Sequence, residues 1–291
     1  MKGIILAGGS GTRLYPMTYA GNKHLMPLFN KPMIYYSLSV LMLSKIKDVL
    51  IISTPEAIPA YEKLFGNGNH LGINISYAKQ DEPKGLAEAF IIGEEFIGDD
   101  SVCLILGDNI VYGSGLTGIL EKSLKNVENN GGAIVFGQYV NDPKRYGVLE
   151  FDKNKNITKV IEKPENPPSN YAVIGLYYYD NNIINISKSI KPSNRGELEI
   201  TDVNNVYLDK NKLDVELFPR GIAWFDAGTH ESFLDASNYI HAIEKRMSLM
   251  VGCIEEIAYK NGWISKKQLL KLAEPLLKTE YGKYLERIAK E

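Results

Sequence analysis

A glycine-rich turn near the start of the chain holds the residue types best suited to binding phosphate. The run reads Gly8, Gly9, Ser10 and Gly11, with Thr12 and Arg13 directly after it. Glycines leave room for backbone N–H groups to approach phosphate oxygens, and a guanidinium group binds those oxygens well. Lys23 supplies a second cation ten residues after Arg13. These residues predict an anion site, although a tight turn without a ligand would use the same glycines.

Two well-known glycine motifs do not match this turn. A Walker A loop has Lys and then Ser or Thr after its second glycine, whereas Gly11 is followed by Thr12 and Arg13. A dinucleotide fingerprint needs a third glycine, which Leu14 and its neighbours do not supply.

Two aspartates follow apolar segments and could bind a metal ion together. Asp108 comes after the run at 102–106, and Asp226 comes after the run at 223–225. Each aspartate alone is more often a turn former or a helix cap. Combined with the glycine turn, the pair predicts a Mg²⁺ site that substrate phosphates and waters would complete.

Two further polar groups also follow predicted strands. The Gln80 amide can donate and accept, which suits the edge of a pyrimidine, and Gly85 would let the backbone approach the base. Glu162 and Lys163 could hold a sugar hydroxyl and a phosphate. Taken alone, each group also fits an ordinary polar loop or a charged strand exit.

The elements that must position these groups alternate between apolar strands and helices. This pattern predicts an α/β fold with a Rossmann-like mixed, mainly parallel sheet flanked by helices. Residues 148–161 predict an antiparallel hairpin, and the chain is almost entirely helical from Thr229 onward. We expect a core at 1–240 and a C-terminal helical extension at 241–291. Ligands of such sheets bind at the carboxyl ends of strands, where the glycine turn and Asp108 lie.

Composition excludes several classes of function. The net charge is −2 and no apolar run approaches the length of a membrane span, so neither a nucleic-acid nor a membrane partner is expected. Two cysteines are too few for a disulfide framework, and the chain starts without a signal-like segment, which predicts a cytoplasmic protein. The four histidines show no metal-ligand spacing. A phosphate nucleophile would need positioning and charge neutralisation rather than a general base.

The start of the chain resembles the signature of the sugar-phosphate nucleotidylyltransferases. The matching residues are Gly8, Gly9, Gly11, Thr12, Arg13, Leu14, Pro16, Thr18, Lys23 and Pro27. Later segments resemble the thymidylyl-transferring branch, and the resemblance covers nearly the whole chain. It implies the nucleotide-diphospho-sugar transferase fold and a Mg²⁺-dependent reaction of dTTP with glucose 1-phosphate. The products would be pyrophosphate and dTDP-glucose, which would supply dTDP-sugar biosynthesis such as that of dTDP-L-rhamnose.

The resemblance also implies a role for each site residue. Nucleotide binding is expected from Leu6, Gly8, Gly9, Gly11, Thr12, Arg13, Gln80 and Gly85. Sugar-phosphate binding is expected from Asn109, Gly147, Glu162, Lys163, Val173, Arg195 and Trp224. Asp108 and Asp226 would hold the metal, and Arg13, Lys23 and Lys163 would be catalytic. Arg195 could instead be a solvated loop residue, and Trp224 could instead fill the core.

The helical C-terminus resembles the family segment that builds subunit contacts and a second nucleotide site, so a homotetramer is expected. Four positions depart from the family pattern, and they are Ser114, Lys260, His24 and Ala227. Two alternatives stay open. One is a UTP-using sugar-1-phosphate uridylyltransferase, and the other is a non-catalytic sugar-nucleotide sensor, which should have lost a cation or an aspartate from the site.

Overall fold

A nine-stranded mixed sheet forms the centre of the molecule. The computed structural model describes residues 1–9 and 11–291, so Ser10 of the glycine turn lies outside the described residues. The strands of the sheet are β1 (Lys2–Leu6), β4 (Asp48–Ser53), β5 (Asn74–Lys79), β6 (Val102–Leu106), β8 (Ala133–Tyr139), β9 (Gly147–Phe151), β10 (Ile157–Glu162), β11 (Tyr171–Tyr179) and β12 (Leu213–Leu217). Two separate ribbons pair β2 (Pro27–Leu28) with β3 (Lys31–Pro32), and β7 (Asn109–Gly113) with β13 (Ile222–Asp226).

Helices cover both faces of the sheet and form the end of the chain. They are α1 (Ile34–Leu43), α2 (Ile58–Phe65), α3 (Glu88–Ile92), α4 (Glu94–Ile97), α5 (Leu116–Asn130), α6 (Ile183–Ser189), α7 (Ile200–Asp209), α8 (His230–Met247), α9 (Ile254–Lys260), α10 (Lys266–Ala273) and α11 (Glu280–Lys290). Among the described residues, no helix is long and apolar enough to cross a membrane.

The strand order confirms the predicted α/β class with a mixed sheet. Its main path runs β10-β9-β11-β6-β1-β4-β5, with β8 joining β11 to β12. Pairs around β1 are parallel, whereas β11 pairs antiparallel with β6, β8 and β9. The predicted hairpin of β9 and β10 is antiparallel, as expected. The parallel part therefore collects the carboxyl ends of β1, β4, β5 and β6 along one edge.

Two apolar layers, one on each face, explain the continuous hydrophobic runs in the central strands. In β1, Ile4 and Ile5 are both fully buried but belong to different layers, because successive side chains point to opposite faces. One layer includes residues of α9, α10 and α11, so the C-terminal helices pack on the sheet. Helix α8 passes through residue 240 without a break, and the division proposed at that position stays a prediction.

One predicted helix is divided in two. The segment predicted at 86–96 forms α3 and α4, which meet at Gly93. A Cβ on Gly93 would lie 2.9 Å from both the Ala89 carbonyl oxygen and the Ile4 Cδ1. The close approach of this segment to β1 therefore requires glycine, at the cost of helix continuity.

Candidate active site

Two adjacent cavities open at the carboxyl edge of the parallel strands. The smaller one has a volume of about 190 Å³ and is lined by Leu6, Gly8, Gly9, Lys23, His24, Gln80, Pro83, Gly85, Leu86, Leu106, Asp108 and Glu197. The larger one measures about 510 Å³. Both cavities share Leu86, Leu106, Asp108 and Glu197, so they form one cleft with two halves. We call them the nucleotide half and the sugar-phosphate half.

The register of β1 and β6 explains the nucleotide half. Leu6 lies opposite Leu106 in parallel strands, so the glycine turn and Asp108 leave the sheet side by side. Gln80 follows β5 in the same way and is buried. A Cβ on Gly8 would lie only 2.7 Å from Gln80 Oε1, so a larger residue at this position would displace the Gln80 amide. Among the described residues, Gly11 and Thr12 line neither half, so their predicted contacts with nucleotide stay predictions.

Gly85 lets two chain segments meet beside the base-binding region. Its φ is 107°, a conformation that favours glycine, and a Cβ there would lie 2.4 Å from the Leu198 carbonyl oxygen. The backbone N–H of Leu198 donates to the Lys84 carbonyl oxygen at 2.7 Å. Gly85 therefore joins the loop after β5 to the segment before α7, which brings Glu197 to the cleft.

Asp108 and Asp226 come together through the β7–β13 ribbon. Asp226 lies opposite Asn109, and the backbone N–H of Ala227 donates to the Asp108 carbonyl oxygen at 3.0 Å. The Asp108 carboxylate pairs with the Lys23 ammonium group and accepts from Asn109 Nδ2 at 3.1 Å. The prediction that both aspartates reach one site is consistent with this geometry, while their roles toward a metal stay predictions.

Burial and neighbouring charges act in opposite directions on the two aspartates. Burial would raise the pKa of Asp108, but the neighbouring charges, that of Lys23 first, and the hydrogen bonds from Lys23 and Asn109 together hold that pKa well below its usual range. Burial, followed by the negative charge of Asp108, raises the pKa of Asp226 above its usual value. A cation bound between the two carboxylates would reduce their mutual repulsion.

Two arginines lie against Asp226. A Cβ on Gly228 would lie 2.9 Å from Arg13 Nη2 and 3.0 Å from Asp226 Oδ1, so both groups border the space that this glycine leaves open. Arg145 Nη2 lies 3.4 Å from Asp226 Oδ2. Arg145 was not among the site residues predicted from the sequence. Its position two residues before Gly147, which the resemblance assigns to sugar-phosphate binding, was the available signal.

His24 is a neutral member of the site. It is buried, and burial together with the charge of Lys23 lowers its pKa to about 3. Its Nδ1 lies 2.8 Å from Asn22 Oδ1, and a Cβ on Gly107 would lie 2.7 Å from its Cδ2. The imidazole therefore packs against Gly107, next to Asp108, without adding charge, and the cations near the two aspartates are Lys23, Arg13 and Arg145.

The sugar-phosphate half is centred on Glu162 and Lys163. Lys163 has φ 43°, a strained conformation for a residue with a side chain, and it precedes a proline. Its ammonium group lies 3.4 Å from Glu162 Oε1, and Glu162 Oε2 accepts a hydrogen bond from the Thr201 hydroxyl. The strained turn holds Lys163 at the cavity wall, which is consistent with its predicted role.

Arg195 lines the same half but is held by carboxylates. Its Nη2 lies 2.8 Å from both oxygens of Glu199, 3.3 Å from Glu197 and 3.4 Å from Glu162. The sequence analysis did not identify Glu197 and Glu199 as site residues. A direct contact of Arg195 with a phosphate would require an exchange of these partners, so its predicted role stays a prediction.

Asn109 and Trp224 form a fixed unit in the wall. Asn109 Oδ1 accepts from the Trp224 indole N–H at 2.6 Å and from the Gly175 backbone N–H at 2.9 Å. The rings of Trp224 and Tyr146 pack edge to face at 5.0 Å. Gly147 and Val173, which were predicted to offer backbone contacts, line the same half. Trp224 thus borders the cavity as well as packing on neighbours.

The charged side chains that line the cleft determine what it can bind. Its lining includes the Asp108 and Asp226 carboxylates and the cations Lys23, Arg13 and Arg145, and its two halves are connected. Among the described residues, no group of three or more His, Cys, Asp or Glu side chains could enclose a metal ion. Two carboxylates beside a phosphate site still fit a hard divalent cation, because such an ion takes its other ligands from phosphate and water.

Comparisons with known proteins agree with this geometry. The sequence profile of the nucleotidyl transferase family matches residues 2–243. Proteins named glucose-1-phosphate thymidylyltransferase are similar over the full chain. The one from Neisseria meningitidis is 51% identical over 100% of both chains, and the one from Xanthomonas campestris is 54% identical over 99% of this chain and 97% of its own.

Two solved structures are also similar to this chain. A Bacillus anthracis structure assigned to the glucose-1-phosphate thymidylyltransferases is 41% identical with a TM-score of 0.76, and the match covers 82% of this chain and 94% of that one. A UDP-glucose pyrophosphorylase complexed with UDP-glucose is 26% identical with a TM-score of 0.73, covering 83% of this chain and 98% of that one.

The chain therefore belongs to the nucleotidyl transferase family, whose profile matches most of its length. Within this family, its full-length relatives at 51–54% identity confirm the resemblance to the thymidylyl-transferring branch.

Proposed function

We propose that this enzyme transfers a thymidylyl group from dTTP to glucose 1-phosphate and releases pyrophosphate. The observation that carries the proposal is the full-length identity with glucose-1-phosphate thymidylyltransferases. The cleft supports it, because a half with Gln80 and glycines lies beside a half with Glu162 and Lys163. The product would be dTDP-glucose, a substrate for enzymes that modify the sugar of a nucleotide sugar.

In this proposal the residues act by positioning and by balancing charge. Arg13 and Lys23 bind the triphosphate, and they stabilise the negative charge that develops on the leaving pyrophosphate. Lys163 holds the phosphate of the sugar, whose oxygen attacks the α-phosphorus in line. A phosphate monoester is largely dianionic at neutral pH, since its second pKa is about 6. No general base is needed, which fits a neutral His24.

Family membership suggests a divalent metal ion, and we propose that it is Mg²⁺ held by Asp108 and Asp226. The ion would supply Lewis-acid stabilisation of the negative charge on the reacting phosphates, with Asp108 and Asp226 as its protein ligands. Lys23 helps to hold Asp108 in its ionised form, and burial together with the negative charge of Asp108 raises the pKa of Asp226. The pair offers the carboxylate oxygens that a hard divalent cation prefers, and a bound cation would reduce the repulsion between them.

We further propose a cytoplasmic homotetramer, as the family resemblance implies. Both substrates are highly charged metabolites of the cell interior, and Cys103 and Cys253 are free and buried. Analytical ultracentrifugation of the purified chain tests the assembly. A sedimenting species other than the tetramer would refute that part of the proposal without affecting the reaction.

One assay tests the reaction and its main alternative. Pyrophosphate release is measured with Mg²⁺, glucose 1-phosphate and either dTTP or UTP. We expect the larger kcat/KM with dTTP. A larger value with UTP would favour the uridylyltransferase alternative. The similarity to a UDP-glucose pyrophosphorylase, at 26% identity, is the reason to test it. Binding of nucleotide without release of pyrophosphate from either would indicate the non-catalytic sensor.

A further inference from the structure

The side chain of Gln80 is held by a carboxylate that lies outside the set of predicted site residues. Gln80 is only 5% exposed, and its Nε2 donates a hydrogen bond to Glu88 Oε2 at 2.7 Å. The same carboxylate oxygen accepts from the backbone N–H of Lys84 at 3.3 Å. Glu88 begins α3 and is half-buried, so it connects that helix to the loop after β5.

The other end of the Gln80 amide faces the nucleotide half. Its Oε1 lies so close to Gly8 that a Cβ on that residue would be 2.7 Å away. Both Gln80 and Gly8 line the smaller cavity. The amide therefore has a defined direction, with its nitrogen toward Glu88 and its oxygen toward the glycine turn.

We propose that Glu88 is a positioning residue that selects the base by fixing the orientation of the Gln80 amide. A carboxylate accepts hydrogen bonds and donates none, so it binds the NH₂ end of the amide and rejects the oxygen end. The oxygen of Gln80 is thereby presented to the ligand. This inference rests on the proposed function, because it names what determines nucleotide choice at the same site.

The consequence is a preference for bases that carry a hydrogen on N3. Thymine and uracil donate from N3–H to an acceptor such as the Gln80 oxygen, and a second hydrogen on Nε2 can serve their carbonyl. Cytosine presents an unprotonated N3, which would face the same oxygen as one acceptor against another. A Gln80 amide turned by half a rotation would instead match cytosine. Glu88 thus disfavours dCTP without contacting the base.

The variants Glu88→Gln and Glu88→Leu remove the constraint. A glutamine can donate as well as accept, and a leucine does neither, so both let the Gln80 amide turn. The matched control is Glu82→Gln, which removes the same charge from the same loop. The Glu82 side chain is 73% exposed. For each protein, kcat/KM is measured with dTTP and with dCTP at fixed Mg²⁺ and glucose 1-phosphate.

We expect the ratio of kcat/KM for dTTP over dCTP to fall about tenfold in both Glu88 variants. Once the Gln80 amide can turn, dCTP no longer pays the cost of facing its N3 acceptor with the Gln80 oxygen, and one hydrogen bond has about this effect. The control should keep the wild-type ratio. The KM for dTTP should rise with little change in kcat, because the reacting phosphates are not touched. An unchanged ratio in Glu88→Gln, or an equal fall in Glu82→Gln, would overturn the inference.

Failure of this inference is separable from failure of the proposed function. Absent turnover of dTTP by the wild-type enzyme would refute the function, whereas normal dTTP turnover with an unchanged ratio refutes only the role of Glu88. Circular dichroism monitors folding. If Glu88→Leu unfolds, the Glu88→Gln variant decides the question, because it conserves size.

Discussion

Arg145 reaches across the mouth of the cleft and contacts Asp226, with 3.4 Å between Nη2 and Oδ2. The arginine side chain is 42% exposed and the aspartate side chain is 14% exposed, so the carboxylate is the more buried partner of the pair. Its guanidinium also lies over the Tyr146 ring, 5.6 Å from the centroid. Arg145 thus adds a cation to the wall of the sugar-phosphate half, beside Asp226.

Replacement of Arg145 by alanine is expected to lower kcat/KM for glucose 1-phosphate about tenfold or more, because one charge-assisted contact near the phosphates is lost. It should also raise the pKa of Asp226 further, since Arg145 is one of the charges that lower it. The acid limb of the pH–rate profile should therefore move to higher pH. Steady-state kinetics over a pH series measures both effects. Lys144→Ala, at the exposed neighbouring position, is the control, and an Arg145→Ala profile that matches it would contradict the prediction.

Replacement of Lys23 by alanine is expected to reduce kcat by about two orders of magnitude, the usual effect of removing one preorganised charge at a transferring phosphate. Lys23 also holds the pKa of Asp108 low, so the variant should lose activity at a higher pH than the wild type as the solution is acidified. Rapid-quench measurement of pyrophosphate formation provides the rate. Near-normal turnover by a folded Lys23→Ala enzyme would rule out the role given to this lysine.

Removal of divalent metal with a chelator is expected to abolish turnover, and added Mg²⁺ should restore it. Asp108→Asn and Asp226→Asn should each raise the Mg²⁺ concentration for half-maximal turnover at least about tenfold, because a ligand is weakened. Isothermal titration calorimetry in the presence of nucleotide measures metal affinity independently of turnover. Wild-type affinity in both variants would show that the metal binds elsewhere.

Replacement of Glu255 by glutamine is expected to stabilise the protein at neutral pH. Burial raises the pKa of this carboxyl, while the hydrogen bond from Tyr281 lowers it only in part. The folded protein therefore binds this proton more tightly than the unfolded chain does. The contribution of Glu255 to stability is complete below its usual pKa and is lost as pH rises through the folded value.

Thermal unfolding from about pH 4 to 7, a range that begins near the ordinary glutamate pKa, checks this sign. The melting temperature of Glu255→Gln should fall less with rising pH than that of the wild type, because a neutral amide does not titrate. The amide oxygen can still accept the Tyr281 hydroxyl hydrogen. Parallel curves for the two proteins would mean that Glu255 keeps one protonation state throughout.

Local sequence patterns were sufficient for most of the secondary structure. The short apolar runs of β1, β4 and β6 are buried strands, and the helical region predicted from Thr229 onward begins with α8, which a capping box of Thr229 and Ser232 starts. The antiparallel β9–β10 hairpin also followed from local alternation. By contrast, β7 lies in a run of mixed residues after Asp108 whose partner β13 is more than a hundred residues away, so no local pattern revealed it.

The sequence by itself determined the class of protein, the glycine turn and most of the charged residues, because residue type and close spacing are local properties. The tertiary structure decided which of these groups meet. It brought Asp226 to Asp108 through the β7–β13 pairing, added Arg145 to that pair and placed Arg195 among three carboxylates. It also brought the Glu88 carboxylate within hydrogen-bond distance of the Gln80 amide nitrogen. Such relations depend on chain segments that pack against each other only after folding, and on burial, which changes the cost of every charge.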